Sequence, residues 1–156
     1  MLQTGEKFPA FELEGRNKKI LSLKDLSGSH AVIYFYPKDN TGACSLEATE
    51  FSSLEGEFEK LGAKVLGVSP DGPESHEKFI AKKSLSVELL SDLGHDLLEK
   101  AGAWRQKKLY GREFMGVVRS TYLIDPEGRI LFVWDKVKAR GHARDVLEKL
   151  KEFAQK

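Results

Sequence analysis

Apolar positions along this chain follow two different periods. AVIYFY (31–36) and AKVLGVSP (63–70) run without polar alternation, as strands buried on both faces do. Between them Phe51, Leu54, Phe58 and Leu61 are spaced three, four and three apart, one stripe of a helix. Gly62 follows as a stop signal, and Gly56 inside the stripe costs about 1 kcal/mol against alanine. A parallel strand pair needs the crossover such a helix supplies. FPAFEL and KKILSL, separated by EGRN, predict an N-terminal β-hairpin.

Further on, PESHEKFIAKKS reads as a helix with Pro73 tolerated at its start, VELLSD as a short strand and HDLLEKAGAW as a helix. GVVRSTYLID and GRILFVWDK flank PEG as strand, turn and strand. GREFMGVVR (111–119) lacks the strand-to-helix setting of a phosphate loop and reads as a hairpin approach or mobile loop. In HARDVLEKLKEFAQK, Val146, Leu147, Leu150, Phe153 and Ala154 share one helical face. This alternation predicts an α/β sandwich, with 1–156 as one domain.

Composition narrows the function classes. A net charge of +1 offers no field for nucleic acid or an anionic membrane, and KKLYGR and KVKAR read as solvated basic faces. MLQTGEKFPAFELEG has no apolar run of signal-peptide or membrane-span length, so a cytoplasmic location is expected. His30, His76, His95 and His142 are scattered without metal-ligand spacing, and no metal is expected. Trp104 and Trp134 read as core.

The single cysteine, Cys44, stands seven residues before Phe51, so its thiol falls near the buried face of the first helical turn. A lone cysteine is most often a small buried hydrophobe. This one lies just beyond the end of a buried strand, where ligands sit in such sheets. Free amides and the helix dipole there favour an anion, here the thiolate. Thr41 is placed to cap the helix or to bond an incoming ligand. Pro37 stiffens the loop, and the small Gly42 and Ala43 let a small molecule approach the backbone. Glu47, one turn on, reads as a solvated or loop-bonded carboxylate, with organisation of the site as the other reading.

Pro37, Thr41 and Cys44 spell P-x-x-x-T-x-x-C, which resembles the active-site motif of peroxiredoxins. YFYPKDNT and LEA around it look like the bacterioferritin comigratory protein, or peroxiredoxin Q, branch. VLGVSPDGPESHEKFIAKKSL, LLSD, GAW and RSTYLIDPEGRI continue the likeness over nearly the whole chain. The resemblance implies a thioredoxin-like fold, with a central mixed β-sheet flanked by helices. It implies thiol-dependent reduction of hydrogen peroxide and organic hydroperoxides through a Cys44 sulfenic acid, without a cofactor. It carries the active-site arginine onto Arg119, on the strand VVRSTYLID; by itself that residue would read as a surface or ion-paired arginine.

Two departures stand out. Thr41-Gly42-Ala43-Cys44-Ser45 replaces the usual Thr-Pro-Gly-Cys-Thr. Thr49 occupies the place, five residues after Cys44, where many members carry a resolving cysteine. The chain therefore resembles a one-cysteine form whose sulfenic acid is reduced by an external thiol: thioredoxin, glutaredoxin or a small thiol. Members of the branch are monomers or dimers. A thiol–disulfide oxidoreductase would need C-x-x-C, which is missing. A peroxide sensor or holdase with poor turnover is the other reading of the same thiol.

Overall fold

A computed structural model describes residues 1–154 of the chain. Its strands are β1 (Glu12–Glu14), β2 (Ile20–Ser22), β3 (His30–Phe35), β4 (Ala63–Ser69), β5 (Glu88–Ser91), β6 (Trp104–Leu109), β7 (Arg112–Val117), β8 (Ser120–Ile124) and β9 (Ile130–Trp134). Its helices are α1 (Gly42–Lys60), α2 (Pro73–Lys83), α3 (Asp96–Lys100) and α4 (His142–Ala154). Seven strands form one mixed sheet in the order β2-β1-β5-β4-β3-β8-β9. β3, β4 and β5 run parallel, and β8 and β9 are antiparallel additions.

The uninterrupted apolar run of β3 has a direct cause. Val32, Tyr34 and Tyr36 enter a core on one sheet face with Phe51, Phe58, Phe79 and Val146 from α1, α2 and α4. Ala31, Ile33 and Phe35 enter a second core on the other face, with Phe8, Leu97 and Leu98. A central strand covered on both faces has no position left for a polar residue. The helical stripe behaves as its spacing predicts: Phe51 and Phe58 are fully buried, and Leu54 and Leu61 pack against them.

Several elements differ from expectation. The N-terminal hairpin forms, but its strands are three residues each, and β1 also pairs with β5, so it extends the sheet edge. The helix expected through Trp104 ends at Lys100. Gly102, at φ 71°, closes it with its own amide on the Glu99 carbonyl and the Ala103 amide on Leu98. Trp104 instead opens β6, half-buried with its ring stacked on His95; Trp134 is likewise half-buried against the other core. KKLYGR and the start of GREFMGVVR form the β6–β7 hairpin, whose turn residues Tyr110 and Gly111 have φ 52° and 79°. In α4, Val146, Leu147 and Leu150 are buried and Phe153 and Ala154 pack partly; Gln155 and Lys156 lie outside the described residues. No helix among the described residues is long and apolar enough to cross a membrane.

Candidate active site

The register of β3 builds the site. Phe35 at its end pairs with Val68 of β4 on one side and with Ser120, the first residue of β8, on the other. The chain leaves β3 into the loop that starts α1, while Arg119 lies immediately before β8, not on the strand as expected. The Arg119 carbonyl accepts from the Val137 amide at 2.9 Å, which fixes this junction. Two segments 75 residues apart in sequence therefore meet beside one strand end.

Cys44 is the third residue of α1 and 1% exposed, which limits reagents at the sulfur to small ones. The Arg119 guanidinium reaches it, with Nη2 3.2 Å from Sγ. Through Nη1 the same guanidinium forms a close ion pair with Glu47 Oε1. Glu47 is fully buried, which corrects the reading of a solvated or loop-bonded carboxylate. Its position three residues after Cys44 puts it on the same inward face of α1, where solvent cannot reach. Its second oxygen, Oε2, is buried with no hydrogen-bond partner among the described residues.

Burial sets the charges here. It pushes the Glu47 carboxyl up to about 7, against the lowering effect of the Arg119 charge and hydrogen bond. Burial works to lower the Arg119 guanidinium, but the charges and hydrogen bonds of Glu47 and Cys44 hold it above its ordinary value. His142, at the start of α4, is buried with Nε2 2.8 Å from Thr121 Oγ1. Desolvation first, and the Arg119 charge second, bring it down to about 4, so it is neutral at pH 7. Tyr34 stacks on Phe51 at 4.6 Å beneath the site, and a Cβ at Gly67 would lie 2.7 Å from its ring, so a side chain there would displace the tyrosine.

The remaining motif residues take separate places. Thr41 precedes α1, but its hydroxyl donates back to the Lys38 carbonyl at 3.0 Å and does not cap the helix. The oxygen keeps lone pairs for an incoming donor. Pro37 is half-buried at the loop start, and Gly42 and Ala43 are exposed in the first turn of α1. Thr49 is exposed while Cys44 is buried, so the two lie on different faces of α1.

Sequence reasoning missed a second cluster. His76, one of the scattered histidines, lies with Asp39 and Asp71, their ligand-type atoms within 4.8 Å of one another. The one signal was its spacing: His76 stands three residues before the buried Phe79, on the inward stripe of α2.

Comparison with known proteins places the chain in a family. The AhpC/TSA family matches residues 4–133. Peroxiredoxin Bcp of Bacillus subtilis is 43% identical over 155 residues, covering 99% of both chains. A putative peroxiredoxin bcp of Helicobacter pylori is 46% identical over 149 residues, 96% of this chain and 98% of the relative. Among solved structures, a mutant of Xylella fastidiosa PrxQ superposes with a TM-score of 0.94 at 37% identity, covering 99% of this chain and 98% of that one. The Xanthomonas campestris bacterioferritin comigratory protein, described for alkyl peroxide reduction, gives 0.88 at 40% identity with 92% of each chain covered. The chain therefore belongs to the AhpC/TSA family, as a thiol-dependent peroxidase of the Bcp/PrxQ kind that carries a single cysteine.

Proposed function

We propose that Cys44 is the nucleophile of this peroxidase and that Arg119, Thr41 and Glu47 serve it. The observation that carries the reading is the Arg119 guanidinium 3.2 Å from Sγ, held there by a buried carboxylate. The thiolate is the reactive form of cysteine, and a cation at that distance can stabilise charge as it moves from sulfur to the peroxide. The thiolate attacks the terminal oxygen of ROOH. The S–O bond forms, the O–O bond breaks, and RO⁻ leaves and takes a proton from water. Cys44 becomes sulfenic acid. Charge that develops on the leaving oxygen is stabilised by Arg119 and by free amides of the first turn of α1. The Thr41 hydroxyl accepts from the peroxide and aligns it, and the small Gly42 and Ala43 leave the approach open.

Hydrogen peroxide and alkyl hydroperoxides both fit, the latter supported by the Xanthomonas relative. The nearly closed sulfur favours small members of the class. With one cysteine, recycling falls to an external thiol. A first thiol displaces water from the sulfenic acid to give a mixed disulfide, and a second releases Cys44. Thioredoxin, glutaredoxin and small thiols supply that chemistry in the cytoplasm, where thiols are kept reduced. We read 1–156 as one thioredoxin-like domain, working as monomer or dimer. The test is peroxide consumption with each donor in turn. Wild type turns over with at least one donor, and Cys44→Ser with none; activity surviving in the serine variant defeats the mechanism. Sulfenic acid formation without turnover on any donor would leave a peroxide sensor instead.

A further inference from the structure

The loop between β3 and α1 is fixed from its middle. Asp39 lies there with its side chain 3% exposed. Its Oδ1 accepts from the Tyr36 hydroxyl at 2.6 Å. Its Oδ2 meets Ser75 Oγ and His76 Nδ1, each at 2.7 Å. The other ring nitrogen of His76, Nε2, faces the Leu90 carbonyl at 3.1 Å. The Asp39 amide donates to Asp71 Oδ2 at 2.7 Å, and Ser69 Oγ donates to the same oxygen at 3.0 Å. One loop residue is thereby tied to the ends of β3 and β4, to β5 and to the start of α2.

None of these bonds reaches Cys44, Arg119 or Glu47 among the described residues. The carboxylate oxygens of Asp39 and Asp71 that face His76 are already engaged by protein donors, so hydrogen bonding accounts for the cluster without a cation. A buried carboxylate is costly unless its bonds are complete, and this many partners on one side chain mark a place where backbone is being held. The chain around it has little else to hold it. Thr41 supplies no side-chain cap, and Asn40 sits at φ 61°. Gly42 opens α1 where proline would preset the turn, and its added Cβ would meet nothing within 4 Å.

We propose that Asp39 and His76 form a latch that positions the Pro37–Thr41 loop, and with it the Thr41 hydroxyl and the first turn of α1, for peroxide attack. Both are positioning residues, and the proposal rests on Cys44 being the nucleophile. Asp71 and Ser75 complete the latch. It replaces the stiffness that a proline at position 42 would bring.

The experiment compares two reagents on the same thiol: hydrogen peroxide, which needs an aligned O–O bond, and iodoacetamide, which needs only an accessible thiolate. Asp39→Asn and His76→Gln should each lower the single-turnover peroxide rate roughly tenfold or more. Iodoacetamide alkylation should stay within about twofold, since alkylation needs no aligned O–O bond and the Arg119 contact to the sulfur does not run through the latch. The double variant should be no slower than Asp39→Asn alone, because both act through one contact. Adding Gly42→Pro to Asp39→Asn should recover at least about threefold of the lost peroxide rate. If Asp39→Asn does not fold, His76→Gln carries the comparison. An unchanged peroxide rate, or equal losses with both reagents, overturns the latch. So does the absence of any recovery with Gly42→Pro. A wild-type thiol that ignores peroxide would instead overturn the reading of the site, a different result from a wild type that reacts and variants that do not slow.

Discussion

Two buried carboxylates flank the start of α1, and each faces a basic side chain. Glu47 pairs with Arg119, whose other nitrogen rests on the Cys44 sulfur. Asp39 pairs with His76, and its remaining bonds go to Tyr36 and Ser75 in the surrounding scaffold. The first pair has an incomplete set of bonds, since Glu47 Oε2 lacks a partner among the described residues; both Asp39 oxygens are satisfied. A buried oxygen left without a bond is costly, whereas a fully bonded carboxylate rigidifies what it holds. In the proposed mechanism the Arg119 pair would supply electrostatics, and the proposed Asp39 latch would supply shape.

Substitutions can separate these two roles. Arg119→Ala is expected to have the largest effect. It removes the cation from the sulfur and leaves Glu47 buried alone, and the peroxide rate should fall about 10²-fold or more. Unlike the latch variants, it should also slow iodoacetamide alkylation, because it removes the guanidinium that touches the sulfur. Arg119→Lys should recover only part, since lysine cannot bridge Sγ and Oε1 with one planar fork. Equal rates in wild type and Arg119→Ala would remove Arg119 from the site.

Glu47→Gln comes next, with a loss of about tenfold at pH 8, where the wild-type carboxylate is ionised and orients Arg119. Its pH profile is diagnostic. The Glu47 carboxyl is raised from 4.5 to about 7, so the wild-type rate should inflect near pH 7 and the profile of the Glu47→Gln variant should lose that inflection. The same shift acts on stability. The folded state holds this proton more tightly than the unfolded chain, so the contribution is full below pH 4.5 and is lost as pH rises through 7.

His142 works in the opposite direction. Its folded value is about 4 against 6.5 unfolded, so its contribution is full above pH 6.5 and is lost as pH falls toward 4. At about 1.4 kcal/mol per pH unit the loss amounts to roughly 3 kcal/mol. Urea midpoints of His142→Gln should therefore fall less than those of wild type between pH 6.5 and 4. Parallel curves for the two proteins would show that His142 protonates freely in the folded state.

The smallest effect on rate, none, is expected for Thr49→Cys, with a change only in the product. Positions 44 and 49 point about 140° apart on a helix, and a disulfide demands closer geometry. Oxidised wild type should stay folded as a sulfenic acid that dimedone traps, and excess peroxide should carry it to sulfinic acid. Thr49→Cys should give an intramolecular disulfide if the first turns of α1 open, visible as a two-dalton loss by intact mass. Overoxidation equal to that of wild type would mean that the first turns of α1 do not open or that position 49 is not the lost resolving site.

Much of the fold was legible because its signals are local. The unbroken apolar run of β3, the three-four-three stripe of α1 and the glycine after it are nearest-neighbour patterns, and each maps onto one element. Cys44 and its helical setting were legible for the same reason, and Arg119 only through family resemblance. The Schellman ending at Gly102 that turned the Trp104 segment into a strand is also written in the sequence, but it competes with a helical pattern that runs through it. Burial of Glu47, the cation it pairs with and the His76–Asp39 contact were not legible. Asp39 and His76 are 37 residues apart, and Glu47 and Arg119 are 72 apart. Only the register of β3 against β4 and β8 brings those segments together. Sequence pattern fixes which residues face inward along one element. Which charges meet there depends on how strands line up across the sheet, and that alignment is a property of the whole packed chain.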